Sequence, residues 1–170
     1  MKRYILSLVA MAAAMIATAQ VKTGVEVLRD GGFKELQGKR VGLVTNPSGV
    51  DRNLKSTVDI LNEAEGVKLV ALYGPEHGVR GNAHAGDAVG DAVDAKTGVK
   101  TYSLYGKTHK PSPEMLKDID VLVYDIQDIG CRSYTFYATV GMCMEACAEN
   151  GKEFMVLDRP NAVSGTKVEG

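Results

Sequence analysis

The chain carries a series of short aliphatic runs, each too brief for a helix and too uniformly apolar for a strand with one wet face. Arg40–Thr45 (RVGLVT), 67–73 (VKLVALY), 119–124 (IDVLVY) and 153–157 (EFMVL) are rich in Val and Leu and lack polar alternation. A strand that alternates hides one face, whereas a continuous run hides both, as parallel strands do when helices cover the sheet on either side. Residues 99–104 read as a further, short edge strand. Helical spacing fills the intervals: Leu54, Val58 and Leu61 recur within 53–65, 112–117 follows Pro111, and 134–150 is closed by Gly151. Residues 23–36 read as a leading helix interrupted at Gly31-Gly32. Strands alternating with helices predict an α/β fold, doubly wound around a mostly parallel sheet. One stretch breaks the rhythm: 74–97 holds five glycines and no periodicity, and long loops inside domains are usually functional.

The N-terminus predicts the compartment. Lys2 and Arg3 precede an apolar run over 4–16 broken only by Ser7, and Ala17-Thr18-Ala19 supplies the small-x-small pattern of a cleavage site. Residues 1–19 therefore read as a signal peptide, with export to the periplasm or beyond and Gln20 as the mature N-terminus. The alternative is a retained anchor, but the run falls short of the roughly 20 residues of a membrane span, and no stable membrane insertion is expected. Residues 20–170 suffice for one domain with its own core. Without Lys2 and Arg3 the 20 basic residues fall to 18 against 21 acidic ones, with no basic run or stripe. That excludes a nucleic-acid footprint. Cys131, Cys143 and Cys147 are odd in number, which excludes a full disulfide framework; Cys143 and Cys147, four apart on one helix face, read as buried apolar thiols. Nothing helical follows the last strand over 163–170, so a second domain is expected to follow in the intact protein.

Ligands of open parallel sheets bind beyond the carboxyl ends of the strands, and four such ends here are polar turns. They are Thr45-Asn46-Pro47-Ser48-Gly49, Gly74-Pro75-Glu76-His77-Gly78, Asp125-Ile126-Gln127-Asp128-Ile129-Gly130 and Asp158-Arg159-Pro160-Asn161. Pro75 and the flanking glycines make a tight turn that projects Glu76. A carboxyl group in a partly dehydrated site holds its proton near neutral pH and so suits general-acid work; capping of the following turn is the plainer role. His77 either holds Glu76 or meets a ligand, or it braces its own loop. Asp125 and Asp128 share a side if their turn is helical, where they position a hydroxylated ligand, act as base or cap the helix that follows. Arg132 suits an acidic side chain or a ligand carboxylate. Tyr134 and Tyr137 read as one contact and one core residue. Asp158, Arg159 and Asn161 read as ligand contacts, with an Asp158–Arg159 salt bridge as the alternative. No Gly-x-Gly-x-x-Gly follows the first strand, and neither a complete Gly-x-x-x-x-Gly-Lys-Ser/Thr phosphate-cradling loop nor a Gly-x-Ser-x-Gly elbow is present. No cofactor is expected, and no metal either, since His77, His84 and His109 lack ligand spacing; Glu76, His77 and Asp125 together are the one weaker alternative.

GPEHG with Gly81 three residues on, VYDIQDIGCRSYTF and LDRPN, in that order, resemble the exo-acting β-N-acetylmuramidases of the NamZ family from about Val25 to the end. The resemblance implies a Rossmann-like N-terminal domain, a smaller C-terminal domain and a site in the cleft between them. It implies a glycoside hydrolase of peptidoglycan turnover and recycling, cleaving β-1,4-linked N-acetylmuramic acid from non-reducing ends. In family terms Glu76 is the catalytic acid with His77 beside it, and Asn46, Asp125, Gln127, Arg132, Tyr134 and Asp158 shape the sugar pocket, joined on the same rim by Asp128 and Asn161. Two departures stand out. The family's proteins are longer, so this chain corresponds to their N-terminal catalytic domain without the C-terminal one. Pro47 also stands where relatives often carry His or Gln, and it removes a backbone donor. Two functional readings follow. In the first, Glu76 protonates a glycosidic oxygen while a second group, or the substrate's acetamido oxygen, assists at the anomeric carbon. In the second, the chain is a non-catalytic domain binding peptidoglycan-derived sugars or muropeptides, or an inactive fragment.

Overall fold

At the centre of the sheet lies β1 (Arg40–Thr45), paired in parallel with β2 (Lys68–Gly74) on one side and β5 (Val121–Asp125) on the other. Beyond β2 comes β4 (Lys100–Ser103), and beyond β5 comes β6 (Glu153–Val156), both parallel. A two-residue strand, β3 (Ala92–Val93), closes one edge antiparallel to β4, giving the order β3-β4-β2-β1-β5-β6. The computed structural model describes residues 21–81, 92–131, 133–163 and 166; the expected signal peptide, His84, Arg132 and most of the last residues lie outside them. No helix among the described residues is long and apolar enough to cross a membrane.

The uniform apolarity of the central strands has the expected cause, because side chains on both faces are buried. Val41, Leu43, Val121 and Val123 pack with Val25, Leu28, Val58 and Leu61, bringing α1 (Gly24–Asp30) and α2 (Thr57–Glu63) onto one face. Val44, Tyr73, Leu122 and Tyr124 point the other way, into a cluster with Leu116, Cys143, Ala146 and Cys147 from α3 (Pro113–Leu116) and α4 (Phe136–Glu149). Successive residues of one strand thus feed opposite cores. Cys143 and Cys147 are free thiols among the buried residues, and burial pushes them up to about 12 and about 11 respectively. The chain runs outward from β1 through β2 to β4, then returns to β5 and continues to β6. The reversal beside β1 is the topological switch at which such sheets open a crevice.

Several boundaries differ from expectation. The helix expected over 53–65 begins only at Thr57. Asp51 accepts the backbone N–H groups of Asn53 (2.9 Å) and Lys55 (3.0 Å), and this local turn outcompetes the first helical turn. Leu54 is consequently left-handed (φ 62°) and 80% exposed, not part of an apolar face. Ser56 then caps α2 by accepting from Asp59 N–H at 3.1 Å. The leading helix stops at Asp30, and Lys34–Leu36 forms a separate 3-10 turn. Helix α1 does more than cover the sheet. Its buried Glu26 accepts from Arg52 and from Thr23 N–H (2.8 Å), while Arg29 reaches Asp51 at 2.7 Å. Both cations of this pair of bridges are partly exposed, and together they pin the turn that follows β1.

The start of α1 presses against the end of β6. Gly24 N–H donates to the Asp158 carbonyl at 2.7 Å, and a Cβ at Gly24 would lie 2.5 Å from the backbone nitrogen of Asp158. Gly24→Ala therefore forces two backbones apart and is expected to cost about 1–3 kcal/mol, read as a lower urea midpoint at unchanged m. An unshifted midpoint would contradict this close approach.

Candidate active site

The carboxyl ends of β1, β5 and β6 are joined through one buried carboxylate. Asp125, the last residue of β5, has no exposed surface. Its Oδ1 accepts from Arg159 Nε at 2.6 Å, and its Oδ2 accepts from Arg159 Nη2 at 3.0 Å and from the Thr57 hydroxyl at the start of α2. Arg159 also donates to the Val50 carbonyl (3.0 Å), and Thr45 Oγ1 donates to the Asp125 carbonyl (2.7 Å). Arg159 is thus the partner of Asp125, not of Asp158, which corrects the salt bridge considered within the last turn. Asp125 braces the rim from beneath, with both oxygens engaged inside the protein.

Above that pair the loops are stitched by polar side chains. Asn46 Oδ1 accepts from Ser48 N–H (2.9 Å) and Ser48 Oγ (2.5 Å), and Ser48 Oγ in turn accepts from Gln127 N–H at 2.9 Å, bridging the switch point. Gln127 Nε2 donates to the carbonyls of Asp128 (2.8 Å) and Pro160 (3.0 Å). Asp128 Oδ1 accepts from Gly130 N–H (2.6 Å), and Asn161 Oδ1 from Val163 N–H (3.1 Å), so each shapes its own turn. Pro47 is exposed, its ring lying over Gly81, where a Cβ would come within 2.7 Å of it. A cavity of about 270 Å³ is lined by Gln127, Asp128, Asp158 and Asn161, with Ile126 and Leu157.

Glu76 belongs to a different opening. It is partly buried on the turn after β2, where Gly78 N–H donates to the Pro75 carbonyl (2.9 Å) and His77 is exposed in a left-handed conformation (φ 71°). Its Oε1 accepts from the Tyr105 hydroxyl at 3.0 Å. That carboxylate pushes the Tyr105 phenol upward, through the hydrogen bond first and through its charge second. The two residues line a cavity of about 380 Å³ with Pro75, Leu104, His109 and the first turns of α4: Thr135, Ala138, Thr139 and Met142. The single rim expected from sequence is therefore two cavities, and the residues lining one do not line the other. Tyr134 and Tyr137 are both exposed, at 47% and 61%, so neither is a core residue. Among the described residues no three His, Cys, Asp or Glu side chains gather as a metal site. A larger opening, about 440 Å³, lies between the start of α1 and β6. Aliphatic side chains make up much of its wall, Asp158 and Arg159 line it too, and neither Glu76 nor His77 does.

Two residues that sequence reasoning passed over matter here. Tyr105 follows β4 by two positions, so the strand-end rule would have found it had it been applied to that fifth, short strand. Arg80 follows the Glu76 turn and donates to Asp94 (2.9 Å twice), Asp59 (2.9 Å) and Ser56 (3.0 Å). It anchors the turn to α2, and its guanidinium holds the Asp94 carboxyl at about 2. Only side-chain partners distant in sequence reveal it.

Comparisons with known proteins converge. The family model described as exo-beta-N-acetylmuramidase NamZ, N-terminal, matches residues 41–170. The chain is 59% identical over 151 residues to the peptidoglycan beta-N-acetylmuramidase NamZ of Bacillus subtilis, covering 89% of this chain and 36% of that protein. A crystal structure of a DUF1343 family protein from Bacteroides fragilis superposes with a TM-score of 0.82 at 67% identity, covering 88% of this chain and 37% of that one. A second DUF1343 structure from the same organism gives 0.69 at 39% identity, covering 84% and 36%. The chain thus spans little more than a third of each relative.

Two consequences are measurable. Asp125→Ala leaves the Arg159 cation buried without its counter-charge and is expected to cost about 3–5 kcal/mol in denaturant unfolding; a loss below about 1 kcal/mol would contradict the bracing role. The Asp94 carboxyl sits at about 2, below its ordinary 3.8, so the native state binds its proton less readily than the unfolded chain. Its contribution, about 2 kcal/mol, is complete above roughly pH 4 and lost as pH falls through 2. Asp94→Asn should flatten that part of the stability profile, and an unchanged acid slope would refute the pairing.

Proposed function

The chain belongs to the NamZ exo-β-N-acetylmuramidase family, and we propose that it carries the proton-donating half of a peptidoglycan glycosidase. The observation that supports this most is Glu76 at the wall of a sugar-sized cavity beyond the carboxyl end of β2, held by Tyr105. The substrate is a wall fragment with N-acetylmuramic acid at its non-reducing end. Glu76 passes its proton to the β-1,4 glycosidic oxygen, the C1–O bond breaks with its electron pair going to that oxygen, and water supplies the hydroxyl that ends on C1 while its other proton restores the Glu76 acid. A second group, or the substrate's own acetamido oxygen, supports the anomeric carbon as the bond opens. Exo cleavage fits a pocket better than a long open groove, since a pocket accepts a chain end.

His77, exposed beside Glu76, is assigned to the sugar at the cavity mouth. Gln127, Asp128, Asp158 and Asn161, around the second cavity, are assigned to the rest of the fragment, with Asn46 setting the loop between them. Arg132 and Tyr134 retain the pocket role implied by the family resemblance. Asp125 acts through Arg159 and Thr57 to keep these loops in place. The expected partners are peptidoglycan-derived sugars and muropeptides, met outside the cytoplasm after removal of residues 1–19.

Glu76→Gln in the full-length protein should lower release of N-acetylmuramic acid from a muramyl-β-1,4-glucosamine disaccharide by about 10²–10⁴-fold. Undiminished turnover would remove Glu76 from the chemistry, and binding without turnover in the unaltered protein would favour a sugar-binding domain. For export, the intact mass of protein recovered outside the cytoplasm should match a chain beginning at Gln20; a chain still beginning at Met1 would contradict it.

A further inference from the structure

We propose that Tyr105 is a positioning residue for Glu76, orienting its carboxyl group and stabilising the charge that appears when the proton leaves. The inference rests on Glu76 being the acid of the reaction. Nothing in the Gly74-Pro75-Glu76-His77-Gly78 motif specifies it, because Tyr105 comes from the end of another strand. The scaffold between the two is one backbone bond and one serine hydroxyl. Leu104 N–H donates to the Gly74 carbonyl at 2.8 Å, tying the end of β4 to the residue from which the Glu76 turn springs, and Tyr105 N–H donates to Ser103 Oγ at 3.2 Å. Both anchors are buried: Leu104 is 2% exposed and Ser103 8%. The Tyr105 ring is backed edge-on by His109, centroids 6.4 Å apart at 88°. The hydroxyl therefore arrives at Glu76 Oε1 from a fixed direction, at 3.0 Å.

Such a bond acts unequally along the reaction. In the form that can give up a proton, Glu76 carries it on the oxygen Tyr105 does not meet, so the hydroxyl faces an uncharged group. As the proton passes to the glycosidic oxygen, the group becomes a carboxylate, and a hydrogen bond to an ionised acceptor is about twice as strong as one between neutral groups. An interaction that strengthens only towards the transition state raises kcat and leaves substrate binding alone. The effect is confined to steps that need the proton. A leaving group that departs as a stable anion makes little use of Glu76 and so little use of Tyr105.

The experiment compares the full-length enzyme, Tyr105→Phe and Glu76→Gln on two substrates: the unactivated muramyl-glucosamine disaccharide and the 2,4-dinitrophenyl β-muramide. Phenylalanine keeps the ring and its contact with His109, and thermal unfolding of each variant checks that the fold is retained. On the disaccharide, Tyr105→Phe should lose about ten- to a hundredfold in kcat with KM held within about twofold. On the dinitrophenyl substrate it should stay within about threefold of the unaltered enzyme. Equal losses on both substrates would show a general packing defect and overturn the proposal, as would full activity on both. Retained disaccharide turnover in Glu76→Gln would sink the acid assignment itself, and the Tyr105 role with it. A Glu76→Gln loss on the disaccharide without a Tyr105→Phe loss would overturn the Tyr105 role alone.

Discussion

The rim of this domain depends on a carboxylate that never reaches the surface. Asp125 lies at the end of the strand beside the topological switch, wholly buried, with Arg159 from the turn after β6 and Thr57 from the start of α2 on its two oxygens. Taking a charge out of water is costly unless every oxygen finds a donor, and here the donors come from separate elements. The same residue accepts from Thr45 through its carbonyl, so β1 is held as well. Sheet geometry alone brings strand ends near one another; this pair fixes the turns that leave them. The smaller bonds above it, from Ser48 to Asn46 and from Gln127 to Ser48 and Pro160, have a settled foundation because of it.

The layers of the fold were legible because burial on both faces leaves a direct mark on composition. Val121, Leu122, Val123 and Tyr124 read as one apolar run, and in space they feed two cores alternately. Turns were harder to read where side chains compete with the backbone. Asp51 accepts two backbone N–H groups and so delays α2 until Thr57, although Leu54 keeps the helical spacing that suggested an earlier start. β3 is two residues long and carries no pattern of its own.

The site was legible in kind more than in arrangement. Strand-end polarity drew attention to Glu76, Asn46, Gln127 and Asp158, and all four lie on turns beyond the parallel strands. It could not assign partners, because partners come from other segments. Asp125 pairs with Arg159 across 34 positions of sequence, Tyr105 meets Glu76 across 29, and Arg80 joins Asp94 and Asp59 at once. Nor could it foresee that the start of α4 would line one cavity and not the other. Thr135, Thr139 and Met142 wall the Glu76 cavity, while Gln127, Asp128 and Asn161 face a separate one.

In the proposed function, the Glu76 cavity receives the scissile end of a muramic-acid-terminated fragment. A crystal structure of the full-length Glu76→Gln protein soaked with the uncleaved disaccharide tests it most directly. The terminal sugar is expected against Leu104, Tyr105 and Thr139, with the glycosidic oxygen about 2.6–3.2 Å from the residue 76 amide. A disaccharide seated elsewhere, with its glycosidic oxygen out of reach of residue 76, would contradict it.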